Sequence, residues 1–162
     1  MKITSLCLSL ALVLVGSGFT SAEVVRPVPN FAFPPVDGQS RSLKSFAGQP
    51  MIVLLADSPK NSDFRIELKE MQKSFDRLAI RKTVVAAAFK NPNSGEILSD
   101  IPVIMLPEGP RVCDTLQLKG TFAIALIGPD GNLDYLTNKI LNINRILEVM
   151  QNSYEMQKAA HR

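Results

Sequence analysis

Few residues in this chain are able to do covalent or acid–base chemistry. Its 162 residues include two Cys, at positions 7 and 113, one His, at 161, and no Trp. That is too few for a Cys/His zinc site or a disulfide framework. Cys113 is the thiol with a chemical setting: it falls near the start of a predicted short helix, where the dipole favours a thiolate, and Arg111 stands two residues away. This setting suits a single-Cys thiol that forms mixed disulfides. The competing and favoured reading is a small packed side chain next to Val112 and Leu116, because free Cys is among the most buried residue types. His161 sits in a polar tail with no apolar neighbours, whereas a general base needs a fixed position.

Asp130, Asn132 and Asp134 alternate like the start of a calcium loop, but the positions that need Gly and Glu are Tyr135 and Leu141, so a hairpin turn is expected instead. No Ser-His-Asp arrangement is evident. The lone G-x-G, Gly16-Ser17-Gly18, lies in the N-terminal apolar segment, so no phosphate loop and no cofactor are expected.

Two features could bind rather than react. Ser58, Asn61 and Ser62, with the backbone amides of a predicted helix start and Arg65, make an electropositive corner suited to a carboxylate or phosphate. Plain capping by Ser62, with Asp63 in the first turn, is the simpler reading. Arg65, Lys69, Lys73, Arg77 and Arg81 then recur every four residues, a stripe that repels itself by about a few tenths of a kcal/mol per pair unless Glu70 and Asp76 relieve it. Its ordinary meaning is a solvated helix face; its functional one is docking onto an acidic envelope protein, a small anion or anionic lipid.

The elements that must position these residues belong to an ordinary globular chain. It is 46% hydrophobic and 20% charged with a formal charge of +3, which excludes disorder, collagen and coiled coil and gives no reason to expect nucleic acid. Lys2, an apolar run over Leu6–Val15 and the small triplet Thr20-Ser21-Ala22 read as a secretory signal peptide over residues 1–22, the run being too short for a bilayer span of roughly 20 residues. Cys7 precedes the apolar run and is badly placed for lipidation. Residues 23–162 then make one domain that keeps only Cys113, so no internal disulfide can form in an oxidising compartment.

Pro27, Pro29, Pro34 and Pro35 make residues 23–35 an extended lead-in, and Val36-Asp37-Gly38-Gln39 a turn. Met51–Ala56, Thr83–Phe89 and Phe122–Ile127 are apolar runs of strand length, as expected of strands covered on both faces. Between the first two, Phe64, Leu68, Met71, Phe75 and Leu78 recur at helical spacing from Ser62. Asn91–Gly95 reads as a loop and Ile101–Leu106 as a short extended piece in which Pro102 argues against a central position. Pro110 opens a short helix to about Leu118, ended by Gly120. Gly128-Pro129-Asp130-Gly131 turns into an antiparallel partner over Leu133–Thr137. Ile140, Leu141, Ile143, Ile146, Leu147 and Met150 face a closing helix that frays over 155–162. The order makes a mixed α/β sheet with helices on both faces.

Two segments carry a resemblance. Pro29 to Leu55, with Val36-Asp37-Gly38 and Leu43-Lys-Ser-Phe-Ala-Gly48-Gln-Pro50 before an apolar strand, resembles the opening of the exported thioredoxin-like proteins of the TlpA and AhpC/TSA group. Leu118-Lys-Gly-Thr-Phe-Ala-Ile-Ala-Leu-Ile-Gly-Pro-Asp-Gly131 is similar to their second half, which typically reads V-x-G-T-P-T-x-F-L-I-D-P-D-G. The chain is also similar to a family of short exported bacterial proteins of unknown function with a thioredoxin-type core.

The resemblance implies a thioredoxin-like fold, and the departures from it bear on activity. In those relatives a C-x-x-C lies between the first strand and its helix; here that stretch, Ala56 to Asp63, has no Cys. Their cis-proline is matched by Phe122, where a non-Pro cis bond would cost about 2.5–4 kcal/mol, so a trans bond is expected. Dithiol exchange has thus lost its nucleophile and its resolving thiol. The expectation is an exported protein, periplasmic or secreted, that works without catalysis by binding through Ser58, Asn61, Ser62, Arg65 and Phe122. A single-Cys thiol protein using Cys113 and a structural envelope component are the alternatives. Protein recovered from the producing cell should begin at Glu23; N-terminal sequencing that finds Leu6–Val15 still attached in the bulk of the exported protein would overturn the leader assignment.

Overall fold

Strand β4 (Met51–Ala56) contains no polar side chain, and all six of its residues are 0–1% exposed, so it must be covered on both faces and paired on both edges. The computed structural model describes residues 26–160, with side chains as far as Ser153. The leader, the Ala22–Glu23 cleavage point, the start of the lead-in and His161 lie outside the described residues.

Along one edge, β4 pairs in parallel with β5 (Val84–Phe89); along the other it pairs antiparallel with β7 (Phe122–Ile127), so that Val53 stands between Ala86 and Ala125. Strand β8 (Asn132–Thr137) returns beside β7. The two-residue strands β1 (Arg26–Pro27) and β6 (Ile104–Met105) close the sheet, giving the order β1-β8-β7-β4-β5-β6. A separate hairpin joins β2 (Ala32–Val36) to β3 (Gln39–Ser42) through Asp37 and Gly38, both at positive φ as a tight two-residue turn requires. The expected lead-in is therefore extended but partly paired, since β1 finds a partner more than a hundred residues on, Arg26 opposite Leu133.

Alternation along the strands splits the core in two. Ile52, Leu54 and Ala56 face α1 (Ser62–Lys73), α2 (Phe75–Ala79) and α4 (Ile143–Ala160), from which Phe64, Leu68, Met71, Leu78, Ile146 and Met150 descend. Met51, Val53 and Leu55 face the hairpin, the single-turn helix Leu43–Phe46 and α3 (Gly109–Thr115). Helices on both faces, as expected from the order of elements, are what the chain builds.

On the α3 side the flanking strands offer Ala86, Ala88, Ala123 and Ala125, a floor of methyl groups that lets α3 approach the backbone itself. A Cβ on Gly109 would stand 2.5 Å from the carbonyl oxygen of Phe89.

Several local expectations need correction. The first helix does not run unbroken to Leu78: Ser74 leaves the helical region, its N–H bonds back to Met71 O at 3.2 Å and not to the residue four before it, and α2 begins at Phe75, in keeping with the preference of Ser for caps. Helix α3 is ended by Gln117 rather than Gly120. Gln117 takes φ +59, its N–H reaches Asp114 O at 3.0 Å, and the Leu118 N–H reaches Cys113 O at 2.8 Å, a Schellman arrangement with a residue other than glycine at its left-handed position. Only Ile104–Met105 of the 101–106 piece pairs with β5. Helix α4, capped by Asn142 Oδ1 on the Arg145 N–H at 2.9 Å, continues through 155–160 instead of fraying, there being no Gly or Pro to stop it.

Among the described residues one charged side chain is fully inside. Glu67 lies on the apolar face of α1 between Phe64 and Leu68, is 0% exposed, and accepts the Leu141 N–H on Oε2 at 2.7 Å; its Oε1 has no hydrogen-bond partner among the described residues. Burial pushes its carboxyl up to about 7, and the Leu141 hydrogen bond only partly offsets that. Because the folded carboxyl holds its proton where the unfolded one, near 4.5, has lost it, its contribution to stability is complete below about 4.5 and is lost as the pH rises to about 7. Chemical denaturation across that range should show Glu67→Gln removing about 1–3 kcal/mol of this pH dependence. Identical pH profiles for parent and variant would refute the assignment.

Candidate functional site

The corner where β4 passes into α1 is organised by Asn61. Its Oδ1 accepts the Phe64 N–H at 3.0 Å, and its Nδ2 donates to Asp57 Oδ1 at 2.9 Å and to the carbonyl of Thr121 at 3.1 Å. The amide thus caps the helix and ties it to the start of β7 in one side chain. Around it the backbone closes further: the Asp57 N–H donates to Thr121 O at 2.9 Å, the Asn91 N–H to Asp57 O at 2.8 Å, and the Asn61 N–H to Ser58 O at 3.1 Å. Capping falls to Asn61 and not to Ser62, which is the first helical residue and exposed. Both types cap well; Asn61 alone has an NH2 that can also satisfy Asp57 and Thr121.

Ser58, Asn61, Ser62 and Arg65 are brought together at this corner, with Ser58 and Asn61 half-buried and Ser62 and Arg65 exposed. The corner is not the electropositive pocket expected, because Asn61 Nδ2 holds the Asp57 carboxylate within it and Arg65 Nε turns back towards the Pro59 carbonyl at 3.4 Å. Phe122 does not belong to it. The residue stands opposite Ala56 in the sheet, is 2% exposed and packs in the core with Phe64 and Phe89, whose rings meet edge-on at 5.0 Å, so no ligand reaches it. The peptide bond before it is trans.

Cys113 lies under the same corner on the opposite face of the sheet. It is 0% exposed, with Sγ 3.5 Å from Ala88 O and 4.0 Å from Ala56 O, seated on the alanine floor. Burial pushes its thiol up to about 11, and the positive charge of Lys90 offsets this only in part. At neutral pH it is a protonated thiol without access to solvent, the packed side chain that its neighbours favoured.

Other charged features resolve individually. The basic stripe is interrupted at Ser74: Lys73 pairs with Glu70, Arg77 donates to Asn144 Oδ1 at 2.9 Å, and Arg81 donates to Arg77 O at 3.1 Å. Asp130 turns its carboxylate onto the Asn132 N–H at 3.0 Å and Asn132 Nδ2 at 2.7 Å, completing the β7–β8 turn as a hairpin. Among the described residues no helix is long and apolar enough to cross a membrane.

Asp57 and Thr121 are the members of the corner that sequence alone did not single out. Thr121 contributes only its carbonyl, which no side-chain pattern reveals. The second omission is a groove of about 600 Å3 between α1 and the 97–100 segment, lined by Arg65, Lys69, Gln72, Ile97, Leu98, Ser99 and Asp100.

No protein-family model and no curated protein matches the sequence. Solved structures do match in shape. A protein from Chlorobium tepidum assigned as a thiol:disulfide interchange protein of the DsbE type is 13% identical with a TM-score of 0.63, covering 83% of this chain and 99% of its own. The reduced 2-Cys peroxiredoxin of Plasmodium vivax is 16% identical with a TM-score of 0.63, covering 85% and 99%. The exposed lipoprotein thioredoxin Etrx1 of Streptococcus pneumoniae is 16% identical with a TM-score of 0.56, covering 76% and 99%. The fold is thioredoxin-like.

If Asn61 holds the corner through all three of its side-chain hydrogen bonds, Asn61→Ala should lower stability by about 1–2 kcal/mol in urea denaturation. Asn61→Asp, which keeps the cap acceptor but sets a second carboxylate against Asp57, should fail to restore it. Full recovery in the Asp variant would reduce Asn61 to a cap alone.

Proposed function

We propose that this protein is an exported, periplasmic or secreted, thioredoxin-fold protein that works by binding and not by dithiol exchange. The observation that carries the proposal is the state of the β4–α1 corner: it holds no thiol, and the side chain that organises it has every hydrogen-bonding group engaged with Phe64, Asp57 and Thr121. Thiol chemistry at a helix start needs an accessible sulfur whose anion the helix stabilises. Cys113 supports no substitute for it, being buried, protonated at neutral pH and separated from the corner by the sheet. Export is supported by the leader pattern of residues 1–22, and the similarity to an exposed lipoprotein thioredoxin is compatible with it. With catalysis set aside, the exposed face of α1 is where a partner has room.

The test joins two measurements on the mature chain. Insulin reduction with dithiothreitol should proceed at the reagent's own background rate, and Cys113 should react with a water-soluble disulfide reagent only after denaturation. Turnover above background that survives repurification would overturn the non-catalytic reading. Rapid native labelling with a midpoint below about 8.5 would replace it with single-Cys thiol chemistry.

A further inference from the structure

We propose that the groove between α1 and the 97–100 segment is a docking site for an extended acidic peptide segment carrying an apolar side chain. This deepens the binding reading and rests on it. The groove exists because of how β5 connects to β6. Parallel neighbours are usually joined by a helix that packs on the sheet; here residues 90–103 make the crossover with only a single helical turn at Pro92–Ser94. Ile97, Ile101 and Val103 of this strap reach the α1-side core, Ser99 Oγ caps the Ile101 N–H at 3.1 Å, and Gln72 Nε2 reaches Ser99 Oγ at 3.4 Å. The strap is thus fastened to α1 at its far end, and near its start the stem of Lys60 lies against Gly95. Between these fastenings the two walls stand apart and leave about 600 Å3.

The walls differ in chemistry. On the helix wall, Arg65 uses only Nε, towards Pro59 O, and Lys69 has no hydrogen-bond or ion-pair partner among the described residues. On the strap wall, Leu98 is 77% exposed beside half-buried Ile97. Asp100 puts one carboxylate at the end of the strap wall, against the two cations of the helix wall; the surplus of positive charge opposite an uncovered leucine complements a chain that alternates carboxylates with apolar side chains, as an extended peptide does at a period of two. From Arg65 to Gln72 the helix rises about 10 Å, the length of about three extended residues. A concave site does not suit a flat lipid surface, and a small anion would leave the Leu98 wall uncovered.

The probe is fluorescein-labelled Glu-Leu-Glu-Leu-Glu-Leu, titrated by anisotropy against the mature protein, with the Lys-Leu counterpart as control and vesicles of equal parts phosphatidylcholine and phosphatidylglycerol in a parallel sedimentation arm. Binding of the acidic peptide should saturate, weaken with added salt, fall about tenfold in Lys69→Glu and severalfold in Leu98→Ser, and stay unchanged in Lys119→Glu, an exposed cation elsewhere. All three substitutions are at exposed side chains, and unchanged circular dichroism is the entry condition. Absence of saturation, equal loss in Lys119→Glu, or Lys69-dependent capture by vesicles in place of the peptide would each overturn the proposal. Turnover in the insulin assay would instead remove the binding reading beneath it, so the two failures are told apart.

Discussion

The constraint on which the structure depends is that β4 has neither a face nor an edge to give to water. Its backbone is taken up by β5 and β7, and its side chains divide between two cores. Everything else in the chain answers that demand. The helix that follows β4 must fold straight back over one face, which fixes α1 and makes the β4–α1 turn a crowded junction. The other face is covered by segments from either side of β4 in the sequence, the N-terminal hairpin and α3.

Those two covers differ in kind, and the difference decides what the junction can do. Large side chains on the α1 side hold the helices away from the sheet, whereas the alanine floor draws α3 down until Gly109 meets the Phe89 backbone. Cys113 rides on that close approach and is sealed by it. The same fold that elsewhere presents a thiol at the head of the first helix here presents an amide bound in place, and puts its one described thiol where neither base nor substrate reaches. The outer wall of α1 lies beyond both cores, with Arg65 and Lys69 exposed along it.

How much of this was legible in the sequence depends on how far apart the determining residues lie. Met51–Ala56 and Phe122–Ile127 announce themselves because every residue is apolar, and Asp37-Gly38 because its turn needs positive φ at both positions. The cap was misplaced by one residue since Ser62 and Asn61 are equally good caps locally, and the choice is made by Asp57 and by Thr121, sixty residues away from Asn61. The pairing of Arg26 with Leu133 is non-local in the same way. Phe122 was given a binding role by its place in a motif, while its alternation along β7 points it into the core. Glu67 was legible and overlooked: it falls at helical spacing with Phe64, Leu68 and Met71, a carboxyl on an apolar stripe. The groove had no signal, because one wall is a strap without periodicity.

The central place of β4 also bears on how the chain comes together in time. Its parallel partner β5 follows closely, so one edge is filled early, but the other waits for Phe122–Ile127. Until that strand arrives, an entirely apolar hexad with no Pro or charge of its own presents a row of unpaired backbone donors and acceptors. Such long-range closure is slow compared with local helix formation. In a nascent, truncated or partly unfolded chain, the most secure strand of the native sheet is therefore the most adhesive segment, and the place where a holding chaperone or a second molecule would take hold.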